Sequence, residues 1–433
     1  MRCISNEVVF RKEARGNSVW KLKMGGHTMY YCGIDIAKYK HEATVIDKTG
    51  KALLDSISFS NRAEGCEKLL ILFERLSIAK DELLIGMEAT GHYWLSVYGY
   101  LLENGFEVKV INPIQSEAFR KMYIRQTKND SKDSFIIAQI MRFGQFSATS
   151  LSDEVIIAMR QLSRYRLALV DNCGDCKRRV IALLDQVFPE YDSLFSDTFG
   201  VTSKEVLAKY PTPEDMLSVS TGKLTNLLGK ASHGRFGKQK AEQLKSMAAG
   251  SFGVSFAKDA FAFQIRQLIE QLNFLETQIG ELEEQIAVLL KQTGSYITTI
   301  PGIGDTLGAI ILSEIGDIRR FDAPGKLVAF AGLDVRVSQS GEFTGTRQKI
   351  SKRGSPYLRR AIWLAASRAA FCDPALSEYY QGLRARGKHH LTAIGAVCRK
   401  LCNIIFAILS QNRPYQMLPP NDKKTSVSSF SPT

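Results

Sequence analysis

Nine apolar residues, Phe261, Ile265, Leu268, Leu272, Leu275, Ile279, Leu282, Ile286 and Leu289, recur at alternating steps of four and three. Such a seam commits the segment to one long helix whose apolar stripe must be covered by another helix. A weaker seam lies upstream: Leu169, Cys173, Cys176, Val180, Leu183 and Val187. The two helices can pair with each other or across subunits. The segment between them, about 190–258, contains Pro211, Pro213 and several glycines and carries no readable pattern.

Residues 29–150 read differently. Apolar runs at Tyr30–Ile34, Ala43–Ile46 and Lys51–Phe59 are short and strand-like, with Lys48-Thr49-Gly50 as a turn between the last two. An amphipathic helix follows over 62–78, then strands at Leu83–Met87 and Glu107–Ile111, the latter stopped by Asn112-Pro113. Three hairpin-linked strands followed by β–α alternation predict a mixed sheet with helices on its faces. The expected organisation is a basic extension over 1–28, an α/β domain over 29–150, a helical coiled-coil linker over 151–295, a mainly helical domain over 296–411 and a disordered tail over 412–433.

A chain of 433 residues with 45% apolar and 23% charged residues can bury substantial cores, and it is too long for one ordinary domain. Its net charge of +13 points to a polyanionic partner. No stretch of about 18 uncharged apolar residues is evident, which argues against an integral membrane protein. No secretory leader is evident at the N-terminus, so the eight cysteines are expected as thiols in the cytoplasm.

Four carboxylates could carry chemistry. Asp35 ends the first strand and Glu88 the fourth, while Asp130 and Asp133 precede the apolar stretch Phe135–Met141 and share a helical face. If the first and fourth strands are neighbours, Asp35 and Glu88 meet. Such acids repel one another unless cations neutralise them, and all-oxygen donors suit Mg²⁺. Two ions could clamp both oxygens of an in-line phosphoryl displacement. Taken singly, each acid reads better as a helix cap or a solvated charge, while the four together on a basic chain favour a metal site.

Further along, Ile300-Pro301-Gly302-Ile303-Gly304 precedes the apolar stretch Leu307–Ile315. This is either a helix-hairpin-helix, whose Gly302 and Gly304 let backbone N–H groups meet a DNA phosphate, or a plain interhelical turn. Beyond it, Arg336–Lys400 holds 13 basic and 3 acidic residues, so a net +10 of the chain's +13 is concentrated there. Arg347, Lys349, Lys352, Arg353, Arg359 and Arg360 form its densest part and suit a phosphate-backbone surface. Ser340 lies in front of them in a Ser-Gly pair, a combination that composition alone does not distinguish from an ordinary turn. Cys173 and Cys176 have CxxC spacing but fall on the helical seam, which favours packing over zinc.

The motifs Gly33-Ile34-Asp35-Ile36-Ala37-Lys38, Glu88-Ala89-Thr90-Gly91, Ile111-Asn112-Pro113, Lys128-Asn129-Asp130-Ser131-Lys132-Asp133, Ile300-Pro301-Gly302-Ile303-Gly304, Phe330-Ala331-Gly332-Leu333, Ser340-Gly341 and Ser351-Lys352-Arg353-Gly354 occur in that order. Together they resemble the DEDD-type insertion-sequence transposases, related to the Piv and MooV DNA invertases. The resemblance implies an RNase H/RuvC-like N-terminal domain whose Asp35, Glu88, Asp130 and Asp133 bind Mg²⁺. It implies a C-terminal transposase domain in which Ser340 is the nucleophile and forms a covalent phosphoserine–DNA intermediate. It further implies a composite active site in a homodimer or homotetramer held by the coiled coil, double-stranded DNA as substrate, and a structured noncoding RNA as guide.

Two alternatives stay open at this stage: a RuvC-like nuclease acting through metal-activated water, and a non-catalytic nucleic-acid-binding regulator. The 34 residues before Asp35 are longer than the resemblance implies, so translation is expected to start at Met24 or Met29.

Overall fold

The computed structural model describes residues 29–88, 93–111, 116–117, 119, 130–144, 148–149, 154–335, 339–340, 343–344 and 349–417; at 130–131, 148–149, 339–340 and 343–344 it describes the backbone alone. The chain divides into two units, Met1–Ser150 and Leu151–Thr433.

In the first unit β1 (Tyr30–Asp35), β2 (Lys40–Ile46) and β3 (Ala52–Ser60) run antiparallel. The turn between β2 and β3 is tied by Asp47, whose carboxylate accepts from Thr49 N at 2.8 Å and Lys51 N at 3.0 Å. Next come α1 (Ala63–Arg75), β4 (Leu83–Glu88), α2 (Trp94–Glu103), β5 (Glu107–Ile111), α3 (Asp130–Phe143) and the two-residue β6 (Ala148–Thr149). The sheet order is β3-β2-β1-β4-β5-β6, with β4 parallel to β1, β5 parallel to β4, and β6 antiparallel to β5. This is the mixed sheet expected, extended by β6, which is too short to carry a sequence period. Alternate residues of each strand supply opposite faces. Cys32, Ile34, Ile85 and Met87 pack with Leu69 and Phe73 of α1 and Val97 and Leu101 of α2. Leu84 and Ile111 pack instead with Ile136, Ile137, Ile140 and Met141 of α3.

The second unit is built around α4 (Glu154–Val187) and α9 (Lys258–Gln292). Leu169, Cys173 and Cys176 of α4 bury against Leu272 and Leu275 of α9, so the CxxC cysteines are core residues. Arg166–Glu283 and Lys177–Glu276 ion pairs flank the stripe. Of the two pairings the sequence left open, α4 and α9 take the one within the chain, which covers the middle of the heptad seam. The buried set is Ala262, Ile265, Ile269, Leu272, Leu275, Ile286 and Leu290, displaced at both ends from the heptad positions Phe261, Leu268 and Leu289. A nearly straight helix turns about 20° per heptad away from a strict seven-residue repeat, and α9 changes partners along its length.

At one end of the pair, α5 (Val201–Lys209), α6 (Pro213–Ser218), α7 (Thr221–Ala231) and α8 (Lys238–Ala249) enclose a core with Tyr191, Phe188, Ile265 and Ile269. These short helices occupy the segment that had no readable period. At the other end, Met159, Leu167, Ile286 and Leu290 join α10 (Asp305–Ile315), α11 (Pro324–Phe330), α12 (Pro356–Cys372), α13 (Pro374–Ala385) and α14 (His390–Gln411).

α14 is long and apolar enough to cross a membrane by length and composition, but Arg399 and Lys400 interrupt it, so it is not an uncharged apolar stretch. Its Ile394, Val397, Leu401 and Ile405 are fully buried in this core. The tail also begins later than 412: Tyr415 donates from its hydroxyl to Asp373 at 2.6 Å and from its N–H to Thr299 Oγ1 at 2.8 Å.

Candidate active site and nucleic-acid surface

Gly33 of β1 and Gly86 of β4 are register partners. A Cβ on Gly33 would lie 2.0 Å from the Ser134 carbonyl oxygen and 2.3 Å from Ala138 N, and one on Gly86 would lie 2.5 Å from Met141 Cγ. Gly33 lets the α3 backbone lie this close to the sheet, and Gly86 makes room for the Met141 side chain. Thr44, opposite Gly33 on β2, shares a 2.7 Å hydroxyl contact with Ser134. Gln139 reaches back to Gly50 O in the β2–β3 turn at 3.3 Å. So α3 runs antiparallel to β1, with its first turn at the carboxyl end of the strand.

That geometry gathers the predicted acids in one region. Asp35 and Glu88 each stand two residues after a paired glycine, hence on the same face as α3 and at the ends of adjacent parallel strands. Asp133, buried at 8% exposure, lies in the first turns of α3. Asp130 is the first residue of the same helix, and its side chain lies outside the described residues. Glu88 accepts from Ser116 Oγ at 2.6 Å, and Ser116 is a site neighbour that no motif signalled. Among the described residues, no three Asp, Glu, His or Cys side chains converge into a ready-made metal cage. The donor set is nonetheless all carboxylate oxygen at one sheet end, which fits a hard divalent cation such as Mg²⁺ in kind.

In the second unit two predicted motifs are zipped together. Lys352 N donates to Gly332 O at 3.1 Å, Ser355 N to Phe330 O at 3.0 Å, and Ser351 N to Asp334 O at 2.8 Å. The Ser351 hydroxyl also donates to the Asp334 carboxylate, and Val335 bridges to Ile350. Gly354, at φ +106°, is required because a Cβ would lie 2.0 Å from Phe330 O. From this clamp emerges a ribbon of β7 (Gln339–Ser340) and β8 (Phe343–Thr344), in which Ser340 pairs with Phe343. The Ser340 side chain, Gly341 and Arg347 lie outside the described residues.

The other predicted contacts divide. Lys349, Lys352 and Arg353 are exposed. Arg359 donates to Ala331 O at 3.2 Å, and Arg360 pairs with Asp171 of α4 at 2.8 Å, so both are already engaged within the chain. Gly302, at φ +88°, would place a Cβ 2.8 Å from both Ala365 O and Ala369 N of α12, so packing already accounts for this glycine. Gly304 is the N-cap of α10 with open space around it.

Sequence reasoning also missed a buried ionic group. Arg164 of α4 grips Glu314 of α10 with two bonds, from Nε at 2.6 Å and Nη2 at 3.0 Å, and the Glu314 side chain is 4% exposed. Ser355, the N-cap of α12, donates to the same carboxylate at 2.8 Å. Partners 150 residues apart leave no local spacing signal.

Residues 32–189 match a family model for transposases of the DEDD type found in IS110. Residues 294–381 match a second, for transposases of the IS116/IS110/IS902 family. The two matches, in that order on a mixed sheet and a helical unit, define a DNA transposase. Both parts of the chain are similar to transposases of the IS110 group. It is 23% identical to an uncharacterized 44.8 kDa protein of insertion element IS116 from Streptomyces clavuligerus, over 91% of this chain and 98% of that one. It is 25% identical to the pilin gene-inverting protein of Moraxella bovis, over 89% and 97%. Among solved structures, T. thermophilus RuvC in complex with a Holliday junction substrate aligns at 14% identity and a TM-score of 0.22, covering 28% of this chain and 99% of that one.

Proposed function

We propose that this transposase cuts and rejoins the DNA of an insertion element through two chemical groups, the four carboxylates and Ser340. Support for the first is the paired-glycine contact at Gly33 and Gly86, which sets α3 over the strand ends that carry Asp35 and Glu88. Asp35, Glu88, Asp130 and Asp133 would hold Mg²⁺. Bound there, the cations would stabilise charge on the phosphate being exchanged. Ser340 Oγ would bond to phosphorus as the bond to a deoxyribose oxygen breaks, the serine proton passing to the departing oxygen. Attack by a second DNA hydroxyl then releases the serine. The phosphoserine retains the phosphodiester bond energy for rejoining.

The exposed Lys349, Lys352 and Arg353 suit contacts to a nucleic-acid backbone. Sequence choice is then assigned to a structured noncoding RNA of the element, with the reaction taking place on cytoplasmic, nucleoid DNA. A homodimer or homotetramer is the working assembly, to be checked by light scattering.

The test is trapping on element-end DNA with Mg²⁺. Wild type should yield a covalent protein–DNA adduct whose nucleotide maps to Ser340 by mass spectrometry. Ser340→Ala should yield neither adduct nor joined product. If Ser340→Ala still cleaves, the enzyme is a metal-dependent nuclease. Asp35→Ala or Asp130→Ala that keeps full activity would remove the carboxylate reading.

A further inference from the structure

Arg160 and Arg320 are half-buried guanidinium groups of the second unit without an acid of their own. Glu314 is divided between Arg164 and Ser355. Asp317 is held in a fork by the exposed Arg319, with Nε at 3.0 Å and Nη2 at 3.0 Å. What remains for Arg160 is the neutral Ser313 carbonyl at 2.7 Å, in the last turn of α10. What remains for Arg320 is aromatic: its guanidinium carbon lies 4.7 Å from the Phe321 ring centroid and 4.4 Å from that of Phe330. Its Nε is buried with no hydrogen-bond partner.

The two cations also oppose each other. Burial, and then the charge of Arg160, push Arg320 down to about 10 against the pull of Asp317 and Glu314. Burial lowers Arg160 too, with Arg164 adding to the effect against the pull of Glu314. Three desolvated guanidinium groups facing two acids that are hydrogen-bonded to Arg164 and Arg319 form a positive surplus, unfavourable unless an anion completes the set. Guanidinium groups match phosphate oxygens in shape and donor number. Arg320 stacks on Phe330, whose carbonyl is part of the clamp to Ser355, so the pair lies at the foot of the basic segment.

We infer that Arg160 and Arg320 form a binding site for one phosphate of a nucleic-acid backbone. The inference rests on the nucleic-acid reading above and adds a specific anchoring point within it. The site reads no base. It fixes the strand relative to the helical core through α4 and the short 3-10 turn Ile318–Arg320 that follows α10.

Arg320→Met and Arg160→Gln in the full-length chain test it with two probes. The first is thermal unfolding in inorganic phosphate against chloride of equal ionic strength. The second is duplex DNA affinity as a function of salt. Wild type should be stabilised by phosphate and each variant should lose that stabilisation, while unfolding in chloride is unchanged or shifted upward as a buried charge is removed. The slope of log affinity against log salt should fall by about one, at all DNA sequences alike.

Phosphate stabilisation lost without a change of slope means a free-anion site and overturns the nucleic-acid assignment. Lower stability in chloride, with phosphate response and slope both intact, means a purely structural arginine and overturns the site. Should Arg320→Met fail to fold, Arg160→Gln gives the same readout. A wild type that binds no DNA at any salt defeats the proposed function, and the phosphate arm still reports on the arginine pair.

Discussion

In the first unit the candidate chemistry hangs on regular elements: strand ends and a helix pressed onto two glycines. In the second unit Ser340 rides on a short ribbon whose base is held by backbone hydrogen bonds and a buried ionic group. Packing of this first kind is apolar and salt-insensitive. Polar clamping of the second kind tolerates little loss of a single partner, because what is left behind is a desolvated donor or charge. The contrast suits the proposed division of labour, in which carboxylates that would hold a metal need fixed spacing and Ser340, as the proposed nucleophile, needs reach.

Four variants can break this comparison. Glu314→Leu should have the largest effect, about 3–5 kcal/mol of stability, because it strands Arg164 beside Arg160 and Arg320. Urea titration at two salt concentrations should show the loss to be greater at low salt. Gly33→Val drives a side chain into the α3 backbone and should cost about 3 kcal/mol, the upper end for overpacking. Its loss should be equal at both salts, with hydrogen exchange rising in α3; a salt-dependent loss here would erase the distinction between the units.

Gly354→Ala places a Cβ against Phe330 O at a φ that L-residues avoid, for about 2 kcal/mol. It should reduce adduct formation at Ser340 more than it reduces the melting temperature. Asp171→Asn removes a mostly exposed partner of Arg360 and should cost under about 1 kcal/mol. Here the hydrogen bond from Arg360, aided by its charge, holds the Asp171 carboxyl below the usual range. Its contribution is therefore complete above the ordinary carboxylate range and is lost as pH falls through the depressed value. A pH series of melting temperatures in which wild type and variant converge only at acid pH checks the sign.

The strand order of the first unit was legible because each strand has a local period and turn signals bound it. The acids were legible as strand-end and helix-start residues. Ser116 was not, since nothing local marks a serine that reaches Glu88 across 28 residues. The helices of 201–249 escaped because they are short and share one core, so none carries a seam of its own. The partner of the 261–289 seam was left open for the same reason: a heptad specifies that a helix must be covered, not by what.

Residue pattern alone determined two helices long enough to pair, a mixed sheet, four acids in transposase order and a basic segment around Ser340. Tertiary structure decided that the seam closes on α4, that Gly302 serves packing against α12, that Arg359 and Arg360 are engaged inside the chain, and that Arg160 and Arg320 are left without an acid. Periodicity and composition act over a few residues. Charge balance and close approach depend on which distant segments the fold brings together.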